Sequence, residues 1–207
     1  MIRVQQARLL AIAAAAFTAL VMMAGDILWA ADTRRAPDTS AAQSYRVAET
    51  TDFSAGYGRT RKSLCIVSNA ESFTARAHTI IRAAVEFQRE SGADYVQVAM
   101  TPIEGVGCGD FFTAIAEYAP DGGGATGDES GHVWQVKATD IVLDIEERLV
   151  LRAWQEAKPQ FSDNGDVDIE RMKAHLAAQL NLTPEEVEDF WLKGVEMGMS
   201  LRRYPVR

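Results

Sequence analysis

The chain has 207 residues, of which 47% are hydrophobic and 24% are charged, an ordinary balance for a globular protein. A chain of this composition can bury a core, which argues against global disorder. Its formal net charge of −8 repels phosphate backbones, so nucleic acid is not expected as a partner.

Residues 1–31 carry the pattern of an export segment. Arg3 and Arg8 form a basic start, and the run from Leu9 to Gly25 contains no charged residue. The core of a signal peptide is about 7–15 residues long and a membrane-spanning helix needs about 17–25, so this run lies at the border between the two. A cleaved signal peptide, an uncleaved N-terminal membrane anchor and a buried cytosolic helix all stay open. The first two place the protein in the periplasm or cell envelope, and only an uncleaved segment would hold it to the membrane.

Residues 32–44 predict a flexible linker, because they are small, polar and without apolar periodicity. The predicted α+β domain occupies residues 45–158. Its strands are expected near residues 45–53, 63–67, 95–100, 111–118 and 132–138. Asn69 or Ser72 caps a helix that ends at Gly92, and Asp140 caps a second helix that ends before Pro159. These elements predict an α+β fold with a four- or five-stranded mixed sheet and one packed helix.

Residues 159–207 predict a helical hairpin extension. The sequence Thr183-Pro184-Glu185-Glu186 has the form of a capping box, which begins the second arm. The preceding loop, 160–168, is polar, so we expect the hairpin to be an appendage separate from the sheet domain. Its second arm would then offer a partner protein an uncovered apolar face, formed by Phe190, Trp191, Val195 and Met199.

The two cysteines, Cys65 and Cys108, are a candidate disulfide because an exported protein folds in an oxidising compartment. The alternative is a buried thiol at Cys65 and an unrelated loop thiol at Cys108. His78, His132 and His175 are scattered along the chain, so neither a metal site nor any other cofactor is predicted. The position of His78 opposite the apolar stripe of its helix predicts that it is exposed to solvent. No catalytic constellation is recognisable.

Two loops resemble binding motifs without meeting their requirements. The glycine-rich segment 122–127 has no lysine and is flanked by Asp121 and Asp128, so it predicts a mobile hairpin tip and not a phosphate site. The segment from Asp163 to Asp168 fails the EF-hand spacing of oxygen ligands and glycine, so it predicts a helix-capping loop.

From residue 61 to about 138 the chain resembles an uncharacterised bacterial family of exported proteins, a domain of unknown function. Three stretches carry the resemblance: Arg61-Lys62-Ser63-Leu64-Cys65-Ile66-Val67, the helix end from Ala83-Ala84 to Gly92-Ala93-Asp94, and Tyr118-Ala119-Pro120-Asp121-Gly122 with Gly127. The helical C-terminus lies outside this resemblance. The family implies no catalytic residues.

Two functional hypotheses follow. The first is an exported or membrane-tethered, non-enzymatic protein that binds a protein partner in the cell envelope. The second is a small envelope hydrolase whose site is assembled by folding, from Cys108 or from carboxylates brought together. A concave pocket with converging polar groups would favour the enzyme, whereas an apolar patch on the C-terminal helices would favour partner binding.

Overall fold

The structure is a computed structural model that describes residues 36–55, 58–105, 107–128, 131–163 and 166–206. The predicted export segment, residues 1–31, therefore lies outside the described residues. Within the described ranges, no helix has both the length and the apolar character needed to cross a membrane.

The centre of the fold is a six-stranded mixed sheet with the strand order β1-β2-β3-β4-β5-β8. The strands are β1 (Arg46–Asp52), β2 (Arg61–Val67), β3 (Tyr95–Thr101), β4 (Ala114–Tyr118), β5 (Trp134–Ala138) and β8 (Arg202–Arg203), while β6 (Ser162–Asp163) and β7 (Asp166–Val167) form a separate small hairpin. β2 and β3 pair in parallel, and the other described pairs are antiparallel. The α+β class and the mixed sheet are confirmed. The expectation of four or five strands is wrong, because the chain returns after the last helix and adds β8 to the edge.

Four α-helices are described: α1 (Phe73–Ser91), α2 (Ile145–Ala157), α3 (Ile169–Leu180) and α4 (Pro184–Met199). Ser72 caps α1, and Gly92 ends it with a φ of 62°. The capping box at Thr183 is present, as predicted. The predicted cap of α2 is wrong by four residues, because Asp144 rather than Asp140 accepts the N–H of Glu147 in a capping box of its own.

The first core lies between α1 and one face of the sheet. The helix supplies small and β-branched side chains at helical spacing, and the strands supply every second residue, as expected for a sheet covered on that face. Its fully buried members include Ala77, Ile80, Ile81, Ala84, Ile66, Val96, Val98, Met100, Ala116 and Val136.

The second core joins α2, α3 and α4, so the hairpin is not the separate appendage that the sequence predicts. Leu151 and Trp154 of α2 are buried together with hairpin residues, among them Met172, Leu176, Val187 and Met197. The domain boundary expected at residue 158 therefore falls inside a hydrophobic core. Most of the described residues between 160 and 168 are exposed, which agrees with the polarity of this segment. The apolar stripe of α2 is nevertheless covered by the hairpin.

The end of the predicted linker is fixed onto α1. The Ala41 N–H donates to His78 Nδ1 at 3.1 Å, and the Gln43 N–H donates to Thr79 Oγ1 at 2.9 Å. The imidazole is only 3% exposed, and its Nε2 lies 2.6 Å from the hydroxyl of Tyr204. The prediction that His78 is exposed is thus wrong, because the segment around Ala41 and the C-terminal Tyr204 cover it.

The glycine-rich loop, for which the sequence predicts a mobile hairpin tip, contacts the side chain of Arg59. Arg59 pairs with Asp121 at 2.8 Å. A Cβ on Gly123 or Gly127 would lie 2.8 Å from atoms of the Arg59 side chain, so a larger residue at either position would require the arginine to move. The hydrogen bond from Arg59, followed by that from the Gly123 N–H, lowers the pKa of Asp121 to about 2.

Candidate functional site

The predicted disulfide between Cys65 and Cys108 is present, with Cα atoms 5.5 Å apart. Leu64 and Ile66, the neighbours of Cys65 in β2, belong to the core under α1. Because side chains alternate along a strand, Cys65 lies on the opposite face of the sheet. The disulfide therefore marks the face that α1 does not cover.

The disulfide fixes the loop that follows β3, described at 102–105 and 107–113, over this second face. Ile103 and Phe111, near the two ends of the loop, are buried in the second core. Between them, Cys108 is bonded to β2, and its Sγ lies 3.2 Å from the carbonyl oxygen of Ala99 in β3. The loop is thus held by both the helical core and the sheet.

A cleft of about 400 Å³ opens beside this loop, and we call it the disulfide cleft. Its walls combine apolar side chains with hydrogen-bonding groups from three strands. It is lined by Glu49, Thr51, Ser63, Leu64, Cys65, Gln97, Ala99, Cys108, Gly109, Phe112 and Ile115. An apolar floor with a few polar groups at its margin is typical of a binding site.

Polar side chains continue along the same face beyond the cleft. Glu117 is the register partner of Gln97, and its Oε2 lies 3.4 Å from Nε2 of His132. The other imidazole nitrogen lies 3.2 Å from the amide of Gln135. Burial, together with the charge of Glu117 and a hydrogen bond to it, raises the pKa of Tyr95, which is only 4% exposed. The carboxylate of Glu117 on this face suits a partner that brings N–H donors or a positive charge.

The neighbouring edge strand, β1, presents side chains and is protected against adding a further strand. All seven of its residues are exposed, and it carries Arg46, Glu49 and Asp52. Its pairing with β2 is interrupted by a bulge between Val47 and Glu49. Charges and bulges are features that discourage strand addition at an edge. We therefore place the candidate site on the sheet face and not at its edge.

The predicted partner surface on α4 is largely covered. The Trp191 ring stacks on Trp154 with ring centroids 5.4 Å apart, and Phe190 also packs against the second core. Val195 is half-buried, and only Met199 stays open, with 82% of its surface exposed. The four residues do not form the continuous apolar face that the sequence suggests, because part of that stripe serves the core.

The histidines are not brought together. His78 contacts Tyr204, His132 contacts Glu117, and His175 lies 5.2 Å from the ring of Phe161. No group of three or more Cys, His, Asp or Glu side chains is placed to hold a metal in the described part of the chain.

Apart from Cys65 and Cys108, the sequence did not reveal the residues of the disulfide cleft. Their signal is a polar residue at alternate positions of a strand, such as Gln97 between Val96 and Val98 in β3. That alternation predicts one face without an apolar cover. It does not show which loop crosses the face, and Ser63 in β2 adjoins an apolar run that suggests burial on both sides.

The fold and the site define an α+β protein with a mixed sheet, one face of which is crossed by a disulfide-bonded loop. A family described as "Domain of unknown function (DUF4875)" matches residues 40–192, and the chain belongs to this family. The resemblance to an uncharacterised domain is confirmed, although the match extends well into the C-terminal helices, beyond the stretch from 61 to 138 that carries the resemblance.

A solved structure has the same fold. It is described as a crystal structure of a DUF487 family protein from Desulfovibrio piger, and it is 24% identical to this chain. The comparison gives a TM-score of 0.57 and covers 79% of this chain and 95% of the other. No curated protein matches this chain.

Proposed function

We propose that this is an exported or membrane-tethered, non-enzymatic protein of the cell envelope, and that it binds a protein partner through the disulfide cleft. The observation that carries the proposal is the cleft itself, an opening of about 400 Å³ on the sheet face opposite α1. A concave pocket was expected to favour an enzyme, but the described lining of this cleft offers its carboxylate, Glu49, no imidazole or free thiol as a catalytic partner, so it supports binding instead. A cleft of this size accepts one or two side chains of a partner and not a whole domain.

The lining indicates what the partner presents. Phe112 and Ile115 offer apolar contact, while Glu49 adds a carboxylate at the margin of the cleft. Glu117 adds a second carboxylate further along the same face. A segment with an apolar side chain followed by a lysine or arginine would satisfy both features, since opposite charges at the rim of an interface guide association.

Two features support the envelope location. The run from Leu9 to Gly25 follows a basic start, as in export segments. The bond between Cys65 and Cys108 uses both cysteines of the chain. Disulfides persist mainly in oxidising compartments, so a bonded pair agrees with export.

A photocrosslinking experiment tests the partner. Gln97 is exposed in the cleft and can be replaced by a photoreactive phenylalanine analogue, while Glu90 is exposed on α1 and provides the matched control position. After irradiation of intact cells, we expect one defined crosslinked protein from position 97 and none of that mass from position 90. Glu49→Lys in the same chain should weaken this product.

The binding should then be reproduced with the purified partner and the purified protein. Identical crosslinked products from positions 97 and 90, or a product that Glu49→Lys leaves unchanged, would show that the cleft does not select a partner.

Export is tested separately. Residues 1–44 fused to a reporter that is active only outside the cytoplasm should give activity. The matched control carries Leu→Arg changes at Leu9, Leu10 and Leu20, which break the apolar run and should silence it. An intact but inactive wild-type fusion would contradict the envelope location.

The second candidate function is a small envelope hydrolase. The observation that favours it is the contact between Glu117 and His132, since a carboxylate that orients an imidazole can support general acid–base catalysis. Cys108 has no free thiol in this structure, so the site would activate water. The wild-type protein should hydrolyse a member of a panel of ester, amide and glycoside substrates, and Glu117→Gln and His132→Ala should each abolish this activity. A wild-type protein inactive on the whole panel would contradict the hydrolase function.

A further inference from the structure

The carboxyl ends of the two parallel strands form a second, separate opening. β2 ends at Val67 and β3 at Thr101, and α1 connects them. In sheets built from strand–helix–strand units, ligands bind in the crevice outside these carboxyl ends. Two cavities of about 240 and 260 Å³ open here and share Asn69 and Glu104. We call them together the strand-end crevice; their combined size reaches the range of small-molecule sites.

The two halves of the strand-end crevice differ in chemistry. The first half is polar and is lined by Gln43, Ser44, Tyr45, Arg46, Val67, Ser68, Asn69 and Glu104. The second half has apolar walls that include Pro102 and Ile103. Ile145 and Leu149 of α2 line it as well, although 78% and 57% of their surfaces are exposed. Two large aliphatic side chains left open beside a cavity favour an apolar ligand chain there.

Arginines border the apolar half. Arg148 donates from Nη1 to Asn69 at 2.9 Å, and Arg152 pairs through Nε with Glu156 at 2.8 Å. The guanidinium of Arg152 lies over the loop that follows β3, because its Nη2 would lie 3.0 Å from a Cβ placed on Gly105. Gly105 itself has a φ of +82°. Arg148 also donates from Nε to the carbonyl oxygen of Leu143 at 3.0 Å. A guanidinium has five N–H donors, so both arginines keep donors at Nη2 that can bind carboxylate or phosphate oxygens.

A third cation lies beneath. Arg76 is 2% exposed and donates to the carbonyl oxygens of Ala70 and Thr139. Burial lowers the pKa of Arg76, while Asp140 opposes this effect and Arg148 adds to it. Glu71 acts in the same direction as Asp140, so two carboxylates already face this buried cation. The anion is therefore expected to be held by Arg148 and Arg152, which line the crevice, and not by Arg76.

We propose that the strand-end crevice binds a small anionic amphiphile, that is, a phosphate or carboxylate group on a short apolar chain. The anionic group would lie against Arg148 and Arg152, and the chain would lie along Ile145 and Leu149. Glu104 is exposed where the two halves meet and opposes an anion, so its charge limits the affinity. This site is independent of the disulfide cleft and does not rest on the function proposed for it.

The test is calorimetric titration of the full chain, held in zwitterionic lipid nanodiscs, with methyl, butyl and hexyl phosphate. Empty nanodiscs give the blank. We expect saturable binding that tightens with chain length. Arg152→Gln should weaken binding of hexyl phosphate roughly tenfold, the effect of losing one charge-assisted hydrogen bond. Glu104→Gln should strengthen it.

Two variants separate the parts of the site. Leu149→Ser should remove the dependence on chain length while methyl phosphate binds as before. Arg89→Gln is the matched control, because Arg89 is exposed on α1 and does not line the crevice. Binding that is absent for all three phosphates, equal for Arg152→Gln and wild type, or equally weakened by Arg89→Gln would overturn the proposal.

A competition arm distinguishes a free amphiphile from a lipid headgroup. Displacement of hexyl phosphate by vesicles containing phosphatidic acid, but not by phosphatidylcholine vesicles, would support the site with a lipid as its source. Retention of hexyl phosphate against both vesicles would support it with a soluble ligand.

Discussion

Removing the disulfide should destabilise the whole protein, because the bond closes a loop that contains much of the first core. Cys65 and Cys108 are 43 residues apart, and α1, β2 and β3 contribute to the segment between them. The chain-entropy relation for a loop of this length gives about 4 kcal/mol of stabilisation. For a protein of this size each kcal/mol shifts Tm by about 2–4 °C, so the double variant Cys65→Ala, Cys108→Ala should melt roughly 8–16 °C lower.

The assay is thermal unfolding by circular dichroism, for wild type with and without reductant and for the double variant. The reduced wild type, with both thiols alkylated after unfolding to prove reduction, should melt close to the variant. Reductant should not change the Tm of the double variant, which has no disulfide. The variant is therefore the control for other effects of the reductant. An unchanged Tm in fully reduced protein would refute the reasoning, because it would mean that the loop that follows β3 is fixed without the bond.

Three further predictions concern single residues. Trp191→Ala should lower the free energy of unfolding by about 2 kcal/mol in one cooperative transition measured with urea, because the ring stacks on Trp154; a separate early transition would favour an independent hairpin. Gly194→Ala should cost about 1–3 kcal/mol in the same assay, because a Cβ there would lie 2.8 Å from ring atoms of Phe111, and a neutral result would contradict this packing. Arg59→Gln should raise the pKa of Asp121 from about 2 toward its ordinary value near 3.8, as measured by NMR of the carboxyl carbon. A depressed pKa stabilises the fold above about pH 3.8, and this contribution is lost as pH falls through about 2. The difference in stability between wild type and variant should therefore shrink as the pH falls between those two values.

The local signals of the sequence were sufficient for most elements. Alternation and apolar runs located the five longer strands, and cap chemistry located Ser72, Gly92 and Thr183. These features depend on neighbours within a few residues. The two-residue strand β8 has no such local signal. It is a strand because Arg202 and Arg203 pair with Ala138 and Lys137 of β5.

The errors concern surfaces that distant parts of the chain cover. The outward side of α1 was expected to face water, yet His78 meets residues 37 positions before it and 126 positions after it. Likewise the apolar stripe of α4 could serve a partner or a core, and its periodicity is the same in both cases. Only the position of α2 decides that Trp191 stacks on Trp154.

Whether a residue is covered by a distant part of the chain also decides whether it can bind a ligand. A covered polar residue needs an internal partner, so His78 is satisfied by Ala41 and Tyr204 and is left with nothing to offer a ligand. The residues of the disulfide cleft differ, because Gln97 is exposed in the middle of the sheet, where a packed helix would otherwise exclude water. Here a central strand keeps an exposed polar side chain on a sheet face that the disulfide-bonded loop crosses. This surface is not part of either hydrophobic core. For this reason the cleft, and not the apolar stripe of the hairpin, is where partner binding should be sought.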